Sequence, residues 1–220
     1  MTLHYRLFQD SDGDAIAGLL ADVFPRRDPL AVAAQITSAE FAAFVQTLLP
    51  QVSNEGLTIV GCHAETGEVA AVMLTTDAAK DSPEKLLEVS EKFAPVAGIL
   101  GDLDDLYFAG RAPHPGEMLH LFLLGVSDRA AGQGVGQQLV MRALENGARK
   151  GYRVAHAEAT NKTSQHIFGK LGFAERAKIP YSDYLFHGQR VFAGIAEHGG
   201  PILMEMVLTG TEFSPEKHPA

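Results

Sequence analysis

The stretch that most constrains this chain runs from Met118 to Leu139. Met118 to Val126 is almost wholly apolar, and it passes into Ser127-Asp128-Arg129-Ala130-Ala131-Gly132-Gln133-Gly134-Val135-Gly136-Gln137-Gln138. An apolar run bounded by turn residues reads as a strand buried on both faces. Leu139, Val140, Ala143 and Leu144 then recur at helical spacing, and Gly151 closes that helix after Lys150. The junction is a strand, a glycine-rich turn and a helix. Glycines let the backbone approach a ligand, and the unpaired N–H groups of a first helical turn point at it. The helix dipole adds about half a positive charge. Such a turn suits a pyrophosphate without any basic side chain. A dinucleotide fingerprint would need a glycine where Gln137 stands, and a P-loop would need a lysine there. A purely structural turn would carry three glycines that each weaken the helix start by about 1 kcal/mol against alanine.

Charge narrows the ligand. Among 220 residues, 18 Lys+Arg against 27 Asp+Glu give a net −9. That argues against nucleic acid, which needs a basic face. It leaves an anion held by backbone groups open, and it favours approach of a cationic substrate. Cys62 is the only cysteine and lies in the apolar run Leu57 to Cys62, so it reads as a core residue in a reducing compartment. The first residues lack an apolar signal core, and no stretch approaches the roughly 18 apolar residues of a membrane span. The expectation is a soluble cytoplasmic protein without a membrane partner; a homodimer is compatible with it.

The remaining pattern alternates strands and helices, a mixed α/β (α+β) class. Leu3, Tyr5 and Leu7 alternate as in a half-buried strand. Ile16, Leu19, Leu20 and Val23 mark a helix expected to break at Phe24-Pro25, and Phe41, Phe44, Val45 and Leu48 mark another expected to close at Pro50. Strands over 57–64 and 68–76 flank a turn at Glu65-Thr66-Gly67, residues 82–100 read as helical, and 101–116 read as an acidic loop whose Asp102, Asp104 and Asp105 are either solvated or placed to attract an amine at the mouth of a site. Further strands are expected at 153–159, from Phe173, and at 201–208, with a short helix over 164–171. Residues 1–210 form one expected domain, and 211–220 a tail.

The turn resembles the coenzyme A loop of the GNAT superfamily of acyl-CoA-dependent N-acyltransferases, Arg/Gln-x-x-Gly-x-Gly/Ala after a strand ending in an aliphatic residue. Gly134-Val135-Gly136 and Val126 fit, while Ala131 replaces the initial Arg/Gln, with Arg129 two residues earlier. The segment Asn161 to Phe173, ending Lys170-Leu171-Gly172-Phe173, is similar to the family's following helix. Phe24-Pro25-Arg26-Arg27-Asp28-Pro29-Leu30, the insertion over roughly 77–116, and Ile179 to Tyr184 resemble the arylalkylamine (dopamine-type) N-acetyltransferases of insects. The resemblance implies a central, mixed, mostly antiparallel twisted sheet of about seven strands flanked by helices. It implies acetyl transfer from acetyl-CoA to a primary amine of a small molecule, by direct attack in a ternary complex. It implies coenzyme contacts from Leu124, Gly125, Val126, Ala131, Gly132, Gln133, Gly134, Val135, Gly136, Gln137, Asn161 and Ser164; separately, the scattered histidines show no metal-ligand spacing, so no metal is expected. The alternatives are an acyl-CoA sensor without turnover and an enzyme acetylating protein lysines or N-termini.

Amide formation from a thioester needs a base, because a primary amine is mostly protonated at pH 7. His120, among apolar residues of the central strand, lies where the family carries a base Glu or His, and a histidine titrates in the useful range. Asp28 matches the base Glu of the insect group but is one methylene shorter; Asp before Pro is also a common turn. Phe168 stands where many members carry a proton-donating Tyr. Ser164 matches a serine of the insect enzymes and equally suits a helix cap with Asn161. Glu117, His156 and Glu158 face either the site or solvent, depending on strand register. Phe41, Phe44, Phe108 and Tyr181 are candidates for an aryl pocket or for core.

Overall fold

Two layers of helix sandwich one twisted sheet, and the sheet comes apart near its middle. The computed structural model describes residues 2–82 and 84–208. The tail read over 211–220 lies outside them. Among the described residues, seven strands, β1 (Leu3–Leu7), β2 (Ile59–His63), β3 (Val69–Asp77), β4 (Met118–Val126), β5 (Val154–Ala159), β6 (Ala174–Lys178) and β7 (Ile202–Val207), lie in the order β1-β2-β3-β4-β5-β7-β6. All neighbours are antiparallel except β4 and β5. That parallel pair needs a crossover, supplied by helix α6 (Val135–Arg149).

Period-two alternation assigns the two cores. On β3, Val72 and Leu74 face helices α1 (Gly13–Arg27) and α3 (Ser38–Glu55), while Ala71 and Met73 face α6. On β4, Leu74 pairs with Leu123 and Thr75 with Leu121, so Phe122 is an extra residue in the ladder. This β-bulge switches the alternation, and the strand beyond it bends. β4 and β5 pair over Met118–His120 and Val154–His156 only. Past His120, the β5-facing edge of β4 opens on a gap instead of a strand.

Three expectations are corrected. Pro25 does not break α1, which runs on to Arg27. It sits in the last turn, where a lost N–H removes one bond and no further turn depends on it. Pro50 does not close α3, which continues to Glu55 and ends at Gly56 with φ +59°. An interior proline costs about 3 kcal/mol. Burial of Phe41, Phe44, Val45, Leu48 and Val52 on one face offsets it. The acidic segment is helical: α5 (Ala94–Phe108) carries Asp102, Asp104 and Asp105, preceded by α4 (Glu84–Val89). Its buried Val96, Ile99 and Leu103 recur at helical spacing and hold it on the core. A five-residue helix, α2 (Pro29–Ala33), follows α1, and α7 (Lys162–Lys170) follows β5.

Candidate active site

The gap between β4 and β5 is the mouth of a cleft. Its outer part is bounded by Phe24, Asp28, Leu124, Val126, Asn161 and Ser164, with Arg27, Lys162 and His198 at the rim. Its inner part shares Phe24, Asp28, Leu124, Asn161 and Ser164, then deepens among Phe41, Phe44, Phe93, Phe122 and Phe168. The shared residues make the two one passage, with Asp28 at the neck.

The glycine turn sits on the outer side. Gly132 and Gly134 adopt φ of +76° and +73°, and a Cβ added at either would meet nothing within 4 Å. The conformation needs glycine, and the space in front of it is open. Gly134 is the N-cap of α6, so the first N–H groups of the helix at Val135, Gly136 and Gln137 have no intrahelical acceptor. A Cβ at Gly136 would lie 3.1 Å from Ile167 and 3.5 Å from Leu124, two residues of the outer cleft. The helix start therefore abuts the passage. Asp128 in the turn is held by ion pairs to Arg27 and Arg26. Gln133 Nε2 donates to the Arg129 carbonyl at 3.0 Å on the exposed side of the loop. The unpaired N–H groups at this helix start face open space beside the passage.

At the neck, Asp28 does two jobs. Its Oδ1 accepts from the Ala31 N–H at 3.0 Å as the N-cap of α2, and its Oδ2 accepts from Thr160 Oγ1. Tyr181, fully buried, donates its hydroxyl to the Thr160 carbonyl at 2.8 Å. Burial pushes the Asp28 carboxyl above the usual carboxylate range, against the hydrogen bonds from Thr160, Ala31 and Leu30. Ser164 faces the passage and is also committed to a capping box: its Oγ donates to the Asn161 carbonyl at 2.9 Å, and its N–H reaches Asn161 Oδ1 at 3.0 Å.

His120 stands one layer back. It is 6% exposed, and Glu158 lies between it and the inner cavity. Its Nε2 is 2.7 Å from Glu158 Oε2 and its Nδ1 is 2.6 Å from Asp81 Oδ2. Both partners are carboxylates, so the ring donates twice and is an imidazolium. Burial pulls its pKa down, but Glu158 and Asp81 outweigh burial and hold it well above the ordinary histidine value. Burial pushes Glu158 up, and His120 outweighs that to hold it below the usual range. Asp104 reaches this group from α5, and burial beside Glu158 raises its carboxyl. His156 pairs with His120 across the β4–β5 ladder, with ring centroids 4.5 Å apart. Burial and the neighbouring imidazolium pull His156 down to about 4, so it is neutral.

His120, His156 and Glu158 present donor atoms within 4.8 Å of one another. A tetrahedral ion with ligands at 2.0–2.1 Å would separate its donors by about 3.3 Å. The 2.7 Å between His120 Nε2 and Glu158 Oε2 is instead a hydrogen-bond distance. Of the other candidates, Glu117 is turned away and accepts from the His114 N–H. Phe108 packs edge-on to the His156 ring instead of lining the cavity.

A known-family comparison decides the class. The model described as the Acetyltransferase (GNAT) family matches residues 51–173, more than half of the chain. The chain belongs to the GNAT acetyltransferase family. It is thus an acyltransferase, with the glycine turn, the parting strands β4 and β5, and the segment ending at Phe173 all inside or at the border of the matched region. Solved structures share the GNAT fold across nearly the whole chain. The C-terminal condensation domain of Ebony, in complex with beta-alanyl-dopamine, superposes with a TM-score of 0.85 at 13% identity, over 94% of this chain and 99% of that one. Arylalkylamine N-acetyltransferase 2 from Aedes aegypti gives 0.79 at 22% identity, over 95% and 100%. The Drosophila melanogaster polyamine N-acetyltransferase gives 0.74 at 20% identity, over 94% and 100%. At these identities the likeness is one of fold.

No sequence spacing in this GNAT chain joins the residues around His120 into one group. Asp81 and Asp104 come from the insertion, and neither has a spacing that ties it to the central strands. The visible signal was His156-Ala157-Glu158, whose period of two puts both side chains on one face of β5.

Proposed function

We propose that this protein transfers an acetyl group from acetyl-CoA to the primary amine of a small molecule with an apolar or aromatic body. The single observation that carries the reading is Asp28: a buried carboxylate at the neck between the coenzyme side of the cleft and a phenyl-lined inner cavity. The coenzyme supplies a thioester carbonyl. The backbone of 132–137 holds its pyrophosphate, and the open edge of β4 near Leu124 and Val126 offers backbone groups along the gap, from which an N–H polarises the carbonyl.

Asp28 takes the amine proton. Its pKa is raised by burial toward the range where a carboxylate is a useful base. Thr160 and the start of α2 fix its two oxygens, so proton transfer needs no reorientation. Ser164, within its capping box, stands at the cleft wall as a hydroxyl for the departing thiolate. The inner cavity takes the rest of the amine between Phe41, Phe44, Phe93 and Phe122, which favours an aryl or alkyl body over a polar one.

The test is thiol release from acetyl-CoA across aryl-alkyl amines, polyamines, aminoglycosides and amino acids, for the wild type and Asp28→Asn. Turnover on amines with an apolar body is expected. Asp28→Asn should lower kcat/KM by about 100-fold, with acetyl-CoA affinity kept by calorimetry. Tight acetyl-CoA binding with no turnover on any amine would overturn the reading in favour of an acyl-CoA sensor.

A further inference from the structure

The inner cavity contains a second carboxylate that proton abstraction at Asp28 does not use. Glu158 lines the cavity, yet its side chain is only 7% exposed. Glu158 and Thr160 lie on the same face of the β5 chain, two residues and about 6.6 Å apart along it. Thr160 is the residue bonded to Asp28. Two carboxylates thus share one wall: Asp28 at the neck, Glu158 in the inner cavity alone.

A lone carboxylate against phenyl rings would ordinarily be protonated, because burial disfavours its charge. Two residues decide otherwise. His120 lies against Oε2 at 2.7 Å, and Asp81 grips the far nitrogen of the same ring at 2.6 Å. The ring cannot turn without breaking a charge-assisted bond on each side. Asp81 and Asp104 both come from the insertion between β3 and β4, while His120 and Glu158 come from the sheet. The insertion therefore does more than roof the cavity. It completes a carboxylate–imidazolium–carboxylate row behind the cavity wall.

We infer that Glu158 is an acceptor-binding residue that draws the ammonium form of the amine into the cavity, and that His120 and Asp81 are positioning residues that keep it ionised and aimed. This rests on the acetyltransferase reading above. The division of labour is simple. Glu158 attracts and orients the cation, and Asp28 removes its proton. No covalent step involves Glu158. The charged or titratable groups facing it are His120 on β4, Asp81 ahead of α4, Asp104 on α5 and His156 on β5, with Asp28 across the neck. Glu205 on β7 is occupied by Arg176 at 2.9 Å and by the Tyr107 hydroxyl.

The experiment measures steady-state kinetics from pH 5.5 to 8.5 on whichever amine the wild type acetylates best, for Glu158→Gln, Asp81→Asn and the conservative Glu158→Asp. Glu158→Gln keeps the volume and removes the charge. It should raise the amine KM by roughly tenfold or more, the size expected of one charge-assisted contact, with kcat within about threefold. Glu158→Asp should recover part of the loss. Asp81→Asn loosens the imidazolium and lets Glu158 take up a proton. Its amine KM should therefore climb as pH falls, where the wild type shows no such limb. A merely structural role would not produce that pH-dependent KM. Melting curves and acetyl-CoA affinity verify that each variant is folded and loaded. An amine KM within twofold of wild type for a folded Glu158→Gln protein at every pH overturns the inference while leaving acetyl transfer intact. A kcat loss with unchanged KM overturns it as well, because Glu158 would then act in the chemical step. If the wild type itself acetylates no amine, the functional reading fails first and this inference with it.

Discussion

Thr160 donates its hydroxyl hydrogen bond to Oδ2 of Asp28, tying the end of β5 to the turn between α1 and α2 across the mouth of the cleft. The bond favours the ionised carboxylate, opposing the burial that raises it. Thr160→Val removes the donor and keeps the shape. The Asp28 pKa should rise further, because burial then acts with less opposition. A base works only when ionised, so the acid limb of the kcat/KM profile should move to higher pH, and the rate at pH 7 should fall by roughly tenfold. An acid limb that stays in place would show that Asp28 is not the group whose ionisation limits the rate.

The glycine turn gives a binding prediction. Gly134 caps α6 at φ +73° with open space beside it. Gly134→Val imposes a strained backbone worth about 1–2 kcal/mol and fills the space in front of the helix N-terminus. Acetyl-CoA affinity measured by calorimetry should weaken by more than about tenfold, while the melting temperature falls by only a few degrees. Equal affinity would refute the assignment of 132–137 to the pyrophosphate.

Two further glycines separate backbone cost from packing cost. A Cβ at Gly18, exposed in the middle of α1, would meet nothing within 4 Å. Gly18→Ala should stabilise the fold by about 0.5–1 kcal/mol in denaturant titration, through helix propensity and a less free unfolded chain. A Cβ at Gly125 would lie 2.6 Å from Cδ2 of Leu20, which is fully buried. Gly125→Ala should destabilise by about 1–3 kcal/mol, because Leu20 has no room to withdraw. Equal effects of the two substitutions would contradict this close packing of β4 on α1.

Local pattern made the central elements legible. The buried run Met118 to Val126, the glycines after it and the amphipathic helix from Val135 carry their structure in nearest-neighbour terms, and they emerge within a residue or two. Asp28 was legible for the same reason, since its place before Pro29 marks both a cap and a motif position. What sequence spacing could not show is what long-range packing decides. Pro25 and Pro50 read as breakers, but core contacts on either side hold both helices together. Asp102, Asp104 and Asp105 read as a loop run, either solvated or drawing an amine to the site mouth. Helical geometry turns Asp104 inward while Asp102 and Asp105 remain exposed. His120 read as a candidate base because of its strand position. Its partners lie 38 and 39 residues away along the chain, beyond any periodic signal.

Asp104 also makes the stability of the fold depend on pH. Burial, and then the Glu158 charge, raise its carboxyl, so the folded protein binds this proton more tightly than the unfolded chain does. The sign follows from linkage. Wherever the folded state binds more protons, stability falls as pH rises. The loss should run from the ordinary carboxylate range, about pH 4, up to the raised value. Asp104→Asn carries a permanent donor in place of the acid proton and has nothing to release. Its melting temperature should match the wild type near pH 5 and exceed it by several degrees at pH 8. Subtracting one protein from the other removes most of the acid-side contributions of Glu158 and His156, which have the opposite sign: both are depressed, so each stabilises the fold at higher pH and loses that contribution as pH falls. A difference that stays constant from pH 5 to 8 would show that Asp104 carries no displaced proton, and that the row behind Glu158 ends at His120 and Asp81.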